Sequence, residues 1–426
     1  MSVWKRRPVI SWCLYDWANS AYATTVMAGF FPVFFKKYWA EDLAVTDSTF
    51  WLALANSLAS VLVVFLAPVL GAIADRAGAK KRFLLFFSFM GIVMTAALYL
   101  VAEGGWMLAL VLYVLASLGF SGGMVFYDAL LVNVAEKQKY DLVSALGYGF
   151  GYLGGGLLFS FDVILTLFPQ SFGLADTSEA VRIAFLSVAV WWGLFSIPVF
   201  LFVKEGPVEA DLDGQGAVMG GIRQLLDTFH EIRMMKQTFL FLLAYWLYID
   251  GVDTIIRMAV DYGLSIGFDT NGLMTALLLT QFIGFPAAIV FGKLGEKRGA
   301  RQGIMLGIFV YLLVILWAYQ MESVWEFYAL AVVIGLVQGG VQSLSRSLYA
   351  TLIPRNKAGE FFGFYNMLGK FAVVLGPILM GWVGVVTGSS RISILSISIL
   401  FISGAIILSR VDIAKGQKQA RMMEDI

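Results

Sequence analysis

Long apolar runs separated by short polar connectors are the feature that most constrains this chain. Twelve of them are long enough to cross a bilayer, since a spanning α-helix needs about 20 apolar residues. They lie at 10–36, 50–74, 83–102, 106–132, 142–168, 182–203, 239–262, 271–293, 303–320, 325–349, 361–387 and 391–409. Only 14% of the residues are charged, against about 25% in soluble domains. We therefore predict an all-α membrane protein with twelve transmembrane helices.

Lys and Arg are concentrated on one side of these helices. They cluster at the N-terminus, after helices 2, 4, 8 and 10, in the middle segment and in the tail, whereas the opposite side carries only Lys36, Lys37, Arg182 and Arg391. Cytoplasmic loops retain positive charge, so both termini are predicted to be cytoplasmic, in a bacterial inner membrane. The net charge of +1 leaves no basic surface of domain size for nucleic acid.

The longest polar stretch divides the helices into two sets of six. It covers about 204–238 and contains an amphipathic run at 222–235, which is predicted to lie along the membrane surface. We assign an N-terminal six-helix bundle to 1–203, a cytoplasmic middle loop to 204–238, a C-terminal six-helix bundle to 239–409 and a cytoplasmic tail to 410–426.

A repeated loop motif indicates that the two bundles are pseudo-symmetric. GAIADRAGAKKR at 71–82 follows helix 2, and GKLGEKRGAR at 292–301 follows helix 8. Glycines permit a tight turn and close helix approach, and an acid beside several bases can lock the helix ends in one state. An ordinary basic loop that only sets topology is the alternative. The predicted cytoplasmic gate comprises Gly71, Asp75, Arg76, Gly78, Lys80, Lys81, Arg82, Asp128, Glu296 and Lys297.

Several segments resemble a known transporter family. The loop at 71–82 resembles the hallmark loop of the major facilitator superfamily. YDWANSAY at 15–22, YIDGVDTI at 248–255, QSLSRS at 342–347 and EFFGFY at 360–365 resemble the subfamily of the fungal vacuolar amino-acid effluxer linked to autophagy and its bacterial relatives. The resemblance implies a twelve-helix fold, a central cavity lined by helices 1, 4, 7 and 10, and efflux or exchange of amino acids or similar metabolites.

Charged residues inside the membrane are the first candidates for a transport site, because a charge at the bilayer centre costs at least a few kcal/mol. In helix 7, Asp250, Asp253 and Arg257 are spaced i, i+3 and i+7, which aligns them on one helical face. Either this face lines a cavity in which one carboxylate exchanges a proton, or it lies in water near the outer end of the helix as a structural ion pair.

Polar stripes on helices 1, 4 and 10 extend this candidate site. Arg346 suits a carboxylate-bearing solute through bidentate hydrogen bonds, although a gate or snorkelling role at the cytoplasmic end fits the same position. Asp16 is either a proton-coupling acid or a helix cap or gate contact. The predicted substrate ligands are Asn19, Tyr22, Tyr113, Ser117, Asp250, Arg257, Gln338, Gln342 and Arg346. The predicted proton-coupling residues are Asp16, Asp250 and Asp253.

The predicted function is secondary active transport of a small polar solute by alternating access between the two bundles. The acids within helices favour proton-coupled efflux or exchange, and coupling to sodium or to the solute gradient alone stays open. The alternatives are translocation of lipid-like amphiphiles and a non-transporting sensor. An enzyme is disfavoured, because the chain has one His and one Cys and lacks HExxH and Walker-type motifs. We expect a monomer in the lipid bilayer, without cofactor or metal.

Overall fold

The helices follow the apolar runs of the sequence. A computed structural model describes residues 6–205, 230–265, 270–371 and 375–424. The N-terminal half contains α1, which starts at Arg7–Ala21 and continues through Tyr22–Phe30, Phe31–Phe34 and Phe35–Trp39, then α2 Val45–Ala77, α3 Lys80–Ala97, α4 Trp106–Ala129, α5 Tyr140–Leu167 and α6 Thr177–Phe202. The C-terminal half contains α7 Lys236–Ser265, α8 Thr270–Arg298, α9 Ala300–Gln320, α10 Val324–Thr351, α11 in two parts at Ala358–Phe371 and Leu375–Thr387, and α12 in two parts at Ser390–Ser396 and Ser398–Ser409. A tail helix, α13, covers Ile413–Glu424.

The all-α membrane fold predicted from the sequence is confirmed. Among the described residues, eleven helices are long and apolar enough to cross a membrane. α1 is the twelfth helical run, and it is divided because Tyr22–Phe30 and Phe35–Trp39 are π-helical. Large apolar side chains such as Phe65, Trp325 and Val385 are 72%, 79% and 86% exposed, which is the arrangement expected of helices that face lipid.

Helix ends in the chain carry ordinary capping signals. α2 ends at Gly78, whose φ of +56° places it in the left-handed region that favours glycine. α10 begins with a capping box in which the Ser323 and Glu326 side chains each accept from the other residue's backbone N–H. The polar middle segment, at 206–229, lies outside the described residues, as does most of the amphipathic run predicted at 222–235.

The two bundles contact each other through α5 with α8 and α10, and through α2 with α11. Glycines permit the close approach, since a Cβ on Gly71 would overlap the carbonyl group of Gly359. We call the side of the molecule formed by Arg6, the α2–α3 turn at 77–80, Lys139, Glu296 and Arg355 the basic face. The candidate site lies just inside this face.

Candidate functional site

Arg346 on α10 reaches across the boundary between the bundles. Its side chain is fully buried, with 0% exposure. Nε donates to Ser144 Oγ at 2.9 Å and one terminal nitrogen, Nη2, donates to the Ser144 carbonyl oxygen at 2.9 Å. The other, Nη1, donates to Asp128 Oδ1 at 3.0 Å and lies 3.8 Å from Asp16 Oδ2. The guanidinium of one bundle is therefore held by three residues of the other. We call Arg346, Ser144, Asp128 and Asp16 the arginine cluster.

Aromatic rings enclose the arginine cluster. The guanidinium carbon of Arg346 lies 4.4 Å from the ring centre of Tyr148, 4.8 Å from that of Trp12 and 5.3 Å from that of Tyr127. Such positions favour cation–π attraction. The rings also replace water around the charges, which strengthens each ion pair and raises the cost of leaving any one charge unpaired.

The two carboxylates of the cluster have different surroundings. Asp128 makes the shorter contact with Arg346, and its second oxygen accepts from Asn366 Nδ2 on α11 at 3.1 Å. Asp16 accepts from the Tyr127 hydroxyl at 3.0 Å and from Ser20 Oγ at 3.2 Å. Two ionised acids and one guanidinium carry a net charge of −1, so binding of one proton would neutralise the enclosed cluster.

A second contact between the bundles involves the predicted gate loop. Asp75 forms an ion pair of 2.6 Å with Lys80, and its Oδ2 accepts from the backbone N–H of Glu360 at 2.8 Å. Glu360 lies in the first turn of α11, where the helix dipole favours a nearby negative charge. Gly71 and Gly359 bring the two backbones together beside this contact. Part of the predicted gate therefore joins α2 to α11.

Other predicted gate residues make separate contacts, and Asp128 belongs to the arginine cluster. Glu296 pairs across the bundles with Lys139 at 2.9 Å. Lys81 Nζ donates to the Val203 carbonyl at 2.7 Å, and the Glu205 carboxylate accepts from the backbone N–H groups of Lys80 and Lys81. These last bonds tie the start of α3 to the end of α6 within one bundle. Three further gate residues are exposed: Arg76, Arg82 and Lys297.

Four predicted substrate ligands lie together inside the N-terminal bundle. The Tyr22 and Ser117 hydroxyls are 2.9 Å apart, and the Tyr113 hydroxyl donates to Asn56 Oδ1 at 2.9 Å. Asn19 Nδ2 lies 3.1 Å from Met124 Sδ. The structure thus brings the polar stripes of α1 and α4 into contact with each other.

On α10, the predicted substrate ligands Gln338 and Gln342 are half-buried. The Tyr152 hydroxyl on α5 donates to Gln342 Oε1 at 3.2 Å. Gln342 therefore lies at the boundary between the bundles, one helical turn from Arg346.

The predicted face of helix 7 is only partly described. Asp250 is buried, and its carboxylate accepts from the backbone N–H groups of Leu375 and Gly376 at 3.0 and 2.9 Å. Asp250 thus joins α7 to the Leu375–Thr387 part of α11. Asp253 is half-buried, whereas the side chain of Arg257 lies outside the described residues, so the alignment of Asp250, Asp253 and Arg257 along a cavity stays a prediction.

Sequence reasoning missed several members of these contacts. Ser144 and Tyr148 are four residues apart on α5 and face Arg346 together. Their i, i+4 spacing in an apolar helix is the available signal. In the sequence, Lys139 is evidence only for the membrane topology. The residues around Asn366 give no sign that its side chain contacts the carboxylate of Asp128.

Comparisons with known proteins agree with this architecture. The family described as vacuole effluxer Atg22 like matches residues 42–140 and 132–421. The chain is 39% identical over 409 residues to the uncharacterized MFS-type transporter YxiO of Bacillus subtilis, covering 94% of each chain. It is 29% identical over 331 residues to autophagy-related protein 22 of Yarrowia lipolytica, covering 69% of this chain and 55% of that protein.

Two solved structures share the fold. The human organic anion transporter MFSD10 superposes with a TM-score of 0.75 at 15% identity, covering 94% of this chain and 99% of the other. The proton:xylose symporter XylE superposes with a TM-score of 0.70 at 12% identity, covering 98% and 97%. At such low identity, these likenesses concern the fold alone.

Proposed function

This chain belongs to the Atg22-like family of major facilitator transporters, and we propose that it moves a small polar solute across a bacterial inner membrane by alternating access. An amino acid or a related metabolite is the proposed solute. The direction is efflux or exchange, and protons are the coupling ion. The matching family is described as vacuole effluxers, which supports movement of a solute across a membrane.

The observation that carries the proposal is the arginine cluster. A charged group from one bundle is buried among acids and a serine of the other. Separation of the bundles at the basic face requires Arg346 to leave Asp128 and Ser144. A contact that must break for one side to open is the element that alternating access needs.

Asp16 is the proposed proton acceptor of the cluster. Its oxygen is 3.8 Å from Arg346 Nη1, whereas that of Asp128 is 3.0 Å away. Asp16 therefore contributes less to the ion pair and remains available to bind a proton. Its protonation removes one attraction on Arg346 and biases the equilibrium towards separation of the bundles at the basic face.

The proposed solute position lies next to the cluster. Gln338 and Gln342 on α10 face α5, whose Tyr152 contacts Gln342. Amides that orient a polar solute one turn from a guanidinium suit a molecule with a carboxylate. The remaining predicted substrate ligands, including Asp250 and Arg257 on α7, stay predictions, as does proton coupling by Asp250 and Asp253.

Flux measurements in proteoliposomes test the coupling. An imposed pH gradient is expected to drive accumulation of a transported amino acid by the wild type. Asp16→Asn is expected to retain exchange of internal for external solute and to lose the accumulation, because the neutral amide carries no proton. Asp162→Asn is the matched control, since Asp162 is a buried acid of the same bundle that contacts Ser187 and lies outside the arginine cluster.

The outcomes separate the parts of the proposal. Accumulation by Asp16→Asn at the wild-type rate would refute its role in proton coupling. Absence of flux for a broad panel of amino acids and metabolites, together with flux of a fluorescent lipid, would replace the solute proposal by amphiphile translocation.

A further inference from the structure

A polar cavity lies on the basic face, apart from the arginine cluster. Its volume is about 340 Å³, and it is lined by Lys137, Tyr140, Ala350, Ile353, Arg355, Arg421 and Glu424. Three parts of the chain meet there: the start of α5, the connection from α10 to α11, and the tail helix α13. The proposed transport mechanism uses none of these residues. We call this cavity the tail pocket.

The tail pocket has an excess of positive charge. The charges of Arg355 and Arg421 repel the ammonium of Lys137, and Glu424 attracts it. Among the residues that the structure describes, neither Lys137 nor Arg421 forms a salt bridge. Three cations therefore face one lining carboxylate, and an anion that entered the pocket would lower their mutual repulsion.

A buried hydroxyl also borders the tail pocket. Tyr140 is 1% exposed, and its hydroxyl has no hydrogen-bond partner within the described part of the chain. A buried polar group without a hydrogen-bond partner costs free energy. An acceptor in the pocket that bonded the Tyr140 hydroxyl would remove this cost. The rim already holds one anionic acceptor, because Glu424 Oε1 accepts from the backbone N–H of Arg355 at 2.8 Å.

We propose that the tail pocket binds a phosphate group, carried either by a soluble phosphorylated metabolite or by an anionic lipid headgroup. Several acceptor oxygens on one small anion match the two guanidinium groups, the ammonium and the tyrosine hydroxyl that line the pocket. Guanidinium groups are suited to phosphate because their donors form a planar fork that meets two oxygens at once.

Binding at the tail pocket is linked to the state of the basic face. Arg355 belongs to the C-terminal bundle, and its Nη2 donates to the Val132 carbonyl of the N-terminal bundle at 2.7 Å. Lys137 and Tyr140 belong to the N-terminal bundle, and α13 packs on α7. The complete set of ligands exists only while the bundles are together at this face. A bound phosphate therefore favours the closed basic face and regulates opening.

Binding to the purified full-length protein tests the proposal without any transport measurement. Thermal unfolding is followed in detergent with inorganic phosphate or pyrophosphate, and in phosphatidylcholine nanodiscs with or without phosphatidylglycerol. The wild type is expected to be stabilised by at least one of these phosphates. Arg421→Gln is expected to weaken the apparent affinity roughly tenfold, as loss of one charge-assisted hydrogen bond implies. Lys418→Gln removes one charge from an exposed position on the same helix and is expected to behave as the wild type.

The arms of the experiment identify the source of the phosphate and the specificity of the site. Stabilisation by inorganic phosphate or pyrophosphate supports a soluble ligand, and stabilisation by phosphatidylglycerol alone supports a lipid. Tyr140→Phe keeps the packing of the ring and removes only the hydroxyl, so its weaker binding supports the site even if Arg421→Gln does not fold. The proposal would be overturned if no phosphate stabilised the protein in any arm. It would also be overturned if Lys418→Gln and Arg421→Gln lost apparent affinity equally. Because the readout is binding, its failure leaves the transport proposal untouched.

Discussion

Asp128→Asn is expected to open the basic face. The substitution keeps the shape of the side chain and removes the charge nearest to Arg346, at 3.0 Å. Removing one partner of a buried ion pair costs about 3–5 kcal/mol, and the cost falls on the conformation in which the pair is enclosed. About 3 kcal/mol corresponds to a change of roughly 100-fold in the ratio of closed to open molecules. Asp16 remains 3.8 Å from the guanidinium and takes over part of the attraction. We therefore expect the ratio of open to closed molecules to rise by at least about tenfold.

The opening is measured by cysteine labelling. The chain has one cysteine, Cys13, which is buried, so a Cys13→Ala background leaves an introduced thiol as the only target. Ser347→Cys places the thiol on α10 at a position that is 0% exposed, where it faces Asp141 of α5. A bulky maleimide reaches this position only when the bundles separate at the basic face. The labelling rate therefore reports the open population.

Two controls make the result specific. Ser409→Cys is exposed at the end of α12, and its labelling rate is expected to be the same whether or not Asp128→Asn is also present. Asp162→Asn removes a buried acid from the same bundle without touching Arg346, and it is expected to leave the Ser347→Cys rate unchanged. Equal Ser347→Cys rates with and without Asp128→Asn would refute the role of the arginine cluster in closure.

Three further predictions concern the surrounding contacts. Gly71→Val is expected to prevent closure of the basic face, because the valine side chain would overlap Gly359. The labelling rate of Ser347→Cys should then rise, and flux should be lost. Asp250→Asn is expected to lower the thermal midpoint of unfolding by weakening the bonds to the backbone N–H groups of Leu375 and Gly376, at about 1.5–3 kcal/mol for bonds to a charged acceptor. Lys139→Gln is expected to change flux by less than about fivefold in proteoliposomes, because its pair with Glu296 is partly exposed and such pairs contribute about 0–1 kcal/mol.

The fold could be predicted because lipid imposes a length and composition on every spanning helix. α1 departs from this rule, because its run at 10–36 is mostly apolar and long enough to span the bilayer but becomes π-helical at Tyr22–Phe30. Apolar length determines where a helix lies and does not determine its hydrogen-bond pattern. A contact of α11 is similar, since the sequence at 361–387 shows Gly376-Pro377 but does not show that the Asp250 carboxylate accepts from the backbone N–H of Gly376.

The candidate site was harder to predict, because it joins residues far apart in sequence. Helical spacing places Arg346 and Asp16 on polar helix faces, and both side chains are buried. It does not determine which residue of the opposite bundle each one meets. Ser144, whose hydroxyl and carbonyl both accept from Arg346, is a small polar residue in a helix of many small residues, and only its spacing of four from Tyr148 distinguishes it locally.

The arginine cluster also constrains how Arg346 can act on a solute. Three of its donor groups are engaged by Ser144 and Asp128 in this conformation, and the side chain has 0% exposure. A solute carboxylate that forms a bidentate pair with Arg346 would displace Asp128 or Ser144, and the buried guanidinium becomes accessible to it when the bundles separate at the basic face. Binding of such a solute and closure of the cluster exclude each other at one guanidinium. This competition ties solute release to closure, because the return of Asp128 supplies the charge that the departing carboxylate removes.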